Sequence, residues 1–209
     1  MTLSVWISLL VAGIAISLTP GAGAINTMSN SMREGWLRSI WGILGQQLGM
    51  IAHIVIVAAG VGLIVSRSPI LFNVVRYAGA AYLVYLGVRL ILIKTDAAEQ
   101  PEESSARTHE PAWSLVRRGF WVNFLNPKSI VFFLAFLPQF IRMDRPALPQ
   151  YLIFTATIVI VDIILMWGVF AGAARPFRRL TSTPRGRRTI NCIFGALFIV
   201  VAGLLLLMH

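Results

Sequence analysis

One carboxylate stands apart in this sequence. Asp162 lies in the run IVIVDIILMW, apolar on both sides, while the other seven acidic residues fall in polar segments. A carboxylate kept in apolar surroundings is costly, and by default it serves a function. Two roles suit it: a proton carrier, or a counter-ion for a bound ammonium. Lys128, directly after Pro127, is the cation set deepest in an apolar stretch. It suits neutralising a ligand carboxylate, pairing with Asp162, or snorkelling to an interface. A structural ion pair of Asp162 with Lys128 or Arg76 is the plain alternative. Asn26, Asn123 and Asn126 add amides that offer donors and acceptors together.

Two short motifs place these groups. Leu18-Thr19-Pro20-Gly21-Ala22-Gly23 and Asn123-Phe124-Leu125-Asn126-Pro127-Lys128 each interrupt an apolar stretch. Proline removes a backbone donor and clashes with the preceding turn, and glycine adds freedom. Thr19 and Asn126 are good helix N-caps, and Pro20 and Pro127 suit the first helical position. A half-helix is expected to start at each point, with free N–H groups and the positive dipole end available to a carboxylate. The candidate substrate-binding residues are Thr19, Pro20, Gly21, Gly23, Asn26, Asn123, Asn126, Pro127 and Lys128, with Asp162 as the proton-coupling group. A proline kink that only shapes the bundle is the competing reading of each break.

The elements that hold such groups must be membrane helices. The 209 residues are 57% hydrophobic and 12% charged, with a mean hydropathy of +0.77. A soluble domain carries roughly twice that charged fraction, so the natural solvent is lipid. Six segments are long enough to span: 3–27, 39–65, 69–93, 118–141, 148–172 and 190–208. Period-two alternation is absent, which argues against a barrel. The expected fold is an all-α integral membrane protein of six transmembrane helices. Its breaks fall in the first and fourth, the leading helix of each half. Matched breaks point to a transporter site, and an odd number of helices per half implies inverted repeats.

The basic residues behind the net charge of +10 sit mostly between apolar runs and do not read as a nucleic-acid patch. Twelve Lys and Arg fall in the first, third and fifth loops and three in the second and fourth. The odd loops are therefore expected in the cytoplasm and both termini in the periplasm. Residues 3–18 lack a preceding basic residue, so a cleaved signal peptide is not expected. The polar stretch 94–117 reads as a flexible cytoplasmic linker between a first half, 1–93, and a second, 118–209. Together they form one transporter domain. Cys192 is the only cysteine, which rules out an intrachain disulfide, and the three histidines, 53, 109 and 209, are scattered. His53 reads as a hydrogen-bonded interior histidine. Glycines 45 and 49, 79 and 87, and 195 and 203 read as helix-packing contacts.

Four segments carry a family likeness: SLTPGAGAINTMSNSMREG, GILGQQLGMIAHI, YAGAAYLVYLGVR and FWVNFLNPKSIVFFLAFLPQFI. Together they resemble the lysine exporter/homoserine–threonine exporter (LysE/RhtB) family, nearest to its homoserine/homoserine lactone branch. Thr19 and Ala22 depart from that branch's first motif. The resemblance implies efflux of small amino acids across the bacterial inner membrane, driven by the proton-motive force. It implies homoserine, threonine or homoserine lactone as cargo, no cofactor, and small oligomers such as homodimers. Rival readings are weaker. An embedded enzyme would want spaced metal ligands or a Gly-x-Gly-Asp acid. An exporter of another cargo, such as a basic amino acid or a metal cation, is the other rival, and a metal cation would want several intramembrane acids or thiols.

Overall fold

A computed structural model describes residues 1–19, 21–67, 69–92, 109–142, 144–176 and 183–207. Those residues are helical, without strands. Pro20 and most of the 94–117 linker lie outside them.

Two helices are broken where the proline motifs fall. α1 (Leu3–Leu18) and α2 (Ala22–Glu34) meet at a bend of 60°, and α5 (Ala112–Phe124) and α6 (Pro127–Phe140) bend by the same angle. α3 (Ser39–Arg67) and α4 (Pro69–Leu92) run unbroken. α7 (Ala147–Ile163) continues into a π-helical segment, Ile164–Ala171, and α8 (Pro184–Leu207) follows. Among the described residues, stretches in α3, in α7 with its π segment, and in α8 are each long and apolar enough to cross a bilayer. Each bent pair passes the same test when taken as one span. At ~1.5 Å per residue, α4 is also bilayer-length. Large apolar side chains such as Leu148, Leu152, Ile160 and Ile164 face outward. Water would penalise that surface and hydrocarbon does not.

Glycine sets the closest approaches. A Cβ on Gly45 would collide with the Val116 carbonyl, and one on Gly119 with the Gly42 carbonyl, so α3 and α5 touch backbone to backbone. Gly87 and Gly195 do the same for α4 and α8, with 2.6 Å from a Gly87 Cβ to the Gly195 carbonyl. Small residues permit this in a bilayer, where helix association rests on packing. The glycine pairs expected from spacing therefore pack, with one correction: Gly203 faces open space.

The main core joins α1, α3, α4, α6, α7 and α8 around Phe132, Phe136, Phe140 and Phe154. A second, smaller cluster joins Ala24 and Met28 of α2 to Ile43, Met166 and Phe170. Arg76 ends up at neither core. Its guanidinium donates to the carbonyls of Leu205 and Leu206, capping the C-terminal end of α8. That removes Arg76 as a partner for Asp162.

Candidate functional site

The two bends face one cleft, which encloses about 490 Å³ with its mouth included. Its walls include Gly21 and Gly23 from the first break, Asn123, Asn126 and Lys128 from the second, and Asp162 from α7.

The first break is built differently from the sequence expectation. Thr19 does not cap α2. It ends α1 in an extended conformation, its hydroxyl turns back to donate to Ala15 O at 2.8 Å, and the N-cap of α2 is Gly21. Pro20, expected at the first helical position, lies outside the described residues, and Ala22 holds that position. Gly21 has no side chain to offer, so the first N–H groups of α2 remain uncapped beside the cleft. A Cβ on Gly23 would stand 2.6 Å from Gln46 Oε1, so a side chain there would have to push the Gln46 amide aside where α2 meets α3.

At the second break the cap forms as its residue types predict. Asn126 Oδ1 accepts from the Lys128 N–H at 3.1 Å, with Pro127 at the first helical position. The α6 N-terminus is thus closed by its own side chain, whereas that of α2 is open. Asn123 donates to Gln46 O at 2.7 Å and accepts from Ser129 Oγ at 2.7 Å.

Asp162 and Lys128 do not form an ion pair within 4.0 Å. Asp162 Oδ1 accepts from Ser17 Oγ at 2.9 Å, and Oδ2 from Gln47 Nε2 at 2.7 Å. Lys128 Nζ donates to Thr19 O at 2.7 Å and Ile16 O at 3.2 Å, and lies 5.9 Å from the Phe198 ring centroid. Those carbonyls are the negative dipole end of α1. Each charge is hydrogen-bonded by neutral partners rather than by the other.

Not every sequence candidate reaches the cleft. Asn26 turns its amide toward Gly42 on α3, where its Nδ2 has no partner, and Pro127 is exposed. Thr19 is buried and contributes only its carbonyl, to Lys128. Ser17, Gln46, Gln47 and Ser129 were not among the candidates. A serine or glutamine within an apolar span is the signal that could have drawn them in.

Family profiles settle the class. The profile described as LysE type translocator matches residues 14–209. The chain belongs to the LysE type translocator family. A homoserine/homoserine lactone efflux protein of Salmonella typhimurium is 38% identical over 205 residues, covering 98% of this chain and 97% of that one. Its Salmonella typhi counterpart is 39% identical over the same shares. An uncharacterized membrane protein of Vibrio cholerae is 38% identical over 199 residues, or 95% and 94% of the two chains. No solved structure matches. As a LysE type translocator the chain is a membrane transporter, not an enzyme.

Proposed function

We propose that this translocator exports small amino acids and their derivatives from the cytoplasm, driven by the proton-motive force. Homoserine, threonine and homoserine lactone are the leading cargoes. The observation that carries this reading is the separation of Lys128 from Asp162 across one cleft, each satisfied by neutral groups. A zwitterion carries one charge of each sign, also separated. Its carboxylate fits the uncapped N–H groups at Gly21–Ala24 beside Lys128, whose Cε is 3.4 Å from a Gly21 Cβ position. Its ammonium fits Asp162. The names of the Salmonella relatives point to the same cargo class.

Protonation supplies the release step. A proton reaching Asp162 from outside removes its charge and weakens its hold on the ammonium. Ser17 and Gln47 then keep the neutral acid in place as the two halves rock.

The same reading places six spans in two inverted three-helix halves, 1–93 and 118–209, joined by the 94–117 linker. The first, third and fifth loops face the cytoplasm, both termini face the periplasm, the membrane is the bacterial inner membrane, and the working unit is a homodimer.

The test is efflux of preloaded, labelled homoserine and threonine from cells expressing the protein, with and without a protonophore. Efflux that needs the protein and collapses with the gradient supports the reading. Efflux indifferent to the protein removes both cargoes. Efflux that survives the protonophore removes the proton coupling.

A further inference from the structure

Two backbone groups lose each other at the second break. In an unbroken α-helix the Lys128 N–H would donate to the Phe124 carbonyl, four residues back. Here that N–H goes to Asn126 Oδ1 at 3.1 Å, and the Phe124 carbonyl stands 2.9 Å from Nε2 of His53 on α3. The imidazole also lies flat on the Phe124 ring, with centroids 5.3 Å apart and planes within 5°. His53 is 6% exposed, and its Nδ1 has no partner. A carbonyl only accepts, so Nε2 must carry the proton.

An orphan carbonyl at a helix C-terminus is costly in an apolar layer, and straightening the helix would satisfy it. His53 removes that incentive by occupying the acceptor. Gly49, one turn earlier on α3, makes the approach possible, since a Cβ there would lie 2.8 Å from Phe120 O. The first break has the corresponding arrangement. Lys128 holds the Ile16 and Thr19 carbonyls at the end of α1. At both breaks a carbonyl at the end of the preceding helix takes a donor from a different helix.

We propose that His53 is a positioning residue for transport. It holds the α5–α6 bend in the geometry that turns Asn123, Asn126 and Lys128 into the cleft. Its hydrogen bond stands apart from the export reading, and only its kinetic consequence rests on that reading.

The test uses full-length protein in proteoliposomes and has two arms. Nitrogen NMR of histidine-labelled protein, with His53 assigned through His53→Gln, reads the tautomer. A protonated Nε2 and a bare Nδ1 are expected, and the opposite tautomer overturns the proposal. Counterflow of whichever amino acid the wild type carries reads the consequence. His53→Leu should raise KM roughly ten-fold with kcat changed less, and His53→Gln, which keeps an N–H donor, should stay within about three-fold of wild type. A wild-type KM in the Leu variant, or equal loss in both variants, overturns it. Should the Leu variant not fold, the tautomer and the Gln variant still decide. Should the wild type carry no amino acid at all, the export reading fails, and the tautomer alone decides the hydrogen bond.

Discussion

Lys128 and Asp162 line one buried cleft, yet neither is the other's partner. The ammonium rests on the last carbonyls of α1, and the carboxylate rests on Ser17 and Gln47. A direct pair would cancel both fields, and this arrangement leaves each available to a ligand.

Replacing the two charges should therefore give different phenotypes. Lys128→Met removes the partner of a carboxylate. It should weaken transport of homoserine and threonine by roughly 10- to 100-fold, the range of a hydrogen bond to a charged group, and affect homoserine lactone, which has no carboxylate, far less. Asp162→Asn should abolish proton-coupled efflux of all three. Counterflow and gradient-driven uptake in vesicles separate the cases. An Asp162→Asn protein that exports at the normal rate with its pH dependence intact would remove the role given to Asp162.

The caps at the two breaks should differ in worth. Asn126→Ala deletes the hydrogen bond to the Lys128 N–H and should cost about 1 kcal/mol. For a chain of this size that lowers the melting temperature by roughly 2–4 °C. Thr19→Val deletes only a bond back to the Ala15 carbonyl, so its effect should be smaller. Melting curves in one detergent compare them. Equal losses would mean that Thr19 does cap α2.

Helix contact through glycine is testable by a single methyl group. Gly119→Ala places a Cβ against the Gly42 carbonyl. Backbone cannot yield as a side-chain tip can, so the α3–α5 pair must separate and the yield of folded protein should fall sharply. Gly203→Ala meets open space and should be neutral or stabilising, by up to ~1 kcal/mol from helix propensity. Size-exclusion profiles of the two variants decide.

The start of α5 is tied down by charge at Glu110, which precedes the helix. Arg118 Nη1 donates to Glu110 Oε2 at 2.7 Å and Ser114 Oγ to Oε1 at 2.6 Å, while Arg118 Nη2 reaches Asn30 on α2 at 2.6 Å. Burial alone would push the Glu110 carboxyl up. The bonds from Ser114 and Arg118, with the nearby Arg33 charge, outweigh it and hold the group below its ordinary value. A depressed carboxyl contributes stability above its unfolded pKa, ~4.3 for glutamate, and loses it as pH falls through the folded value. The difference in melting temperature between wild type and Glu110→Gln should hold at neutral pH and shrink on acidification below that value. A difference that grows with acid would reverse the sign of this assignment.

Much of the site was legible in the chain itself. Asp162 and Lys128 stood out because charge in an apolar run has no cheap resting place. The two proline motifs announced helix breaks because proline cannot donate, and Asn126 announced its own cap because that bond closes within two residues. Such features are local, and local chemistry is written in local sequence. Others depended on distance through space. Thr19 has the residue type of a cap, but the backbone places Gly21 there. Asn26 has the chemistry of a ligand group, but its face of α2 turns toward Gly42. Arg76 could have met Asp162, yet α8 presented it with bare carbonyls. Ser17 and Gln47 became the carboxylate's partners because α1, α3 and α7 converge, and His53 reached Phe124 because glycines let α3 lie against α5. A sequence determines which groups must find partners, and only the packing of distant helices decides which partners they find.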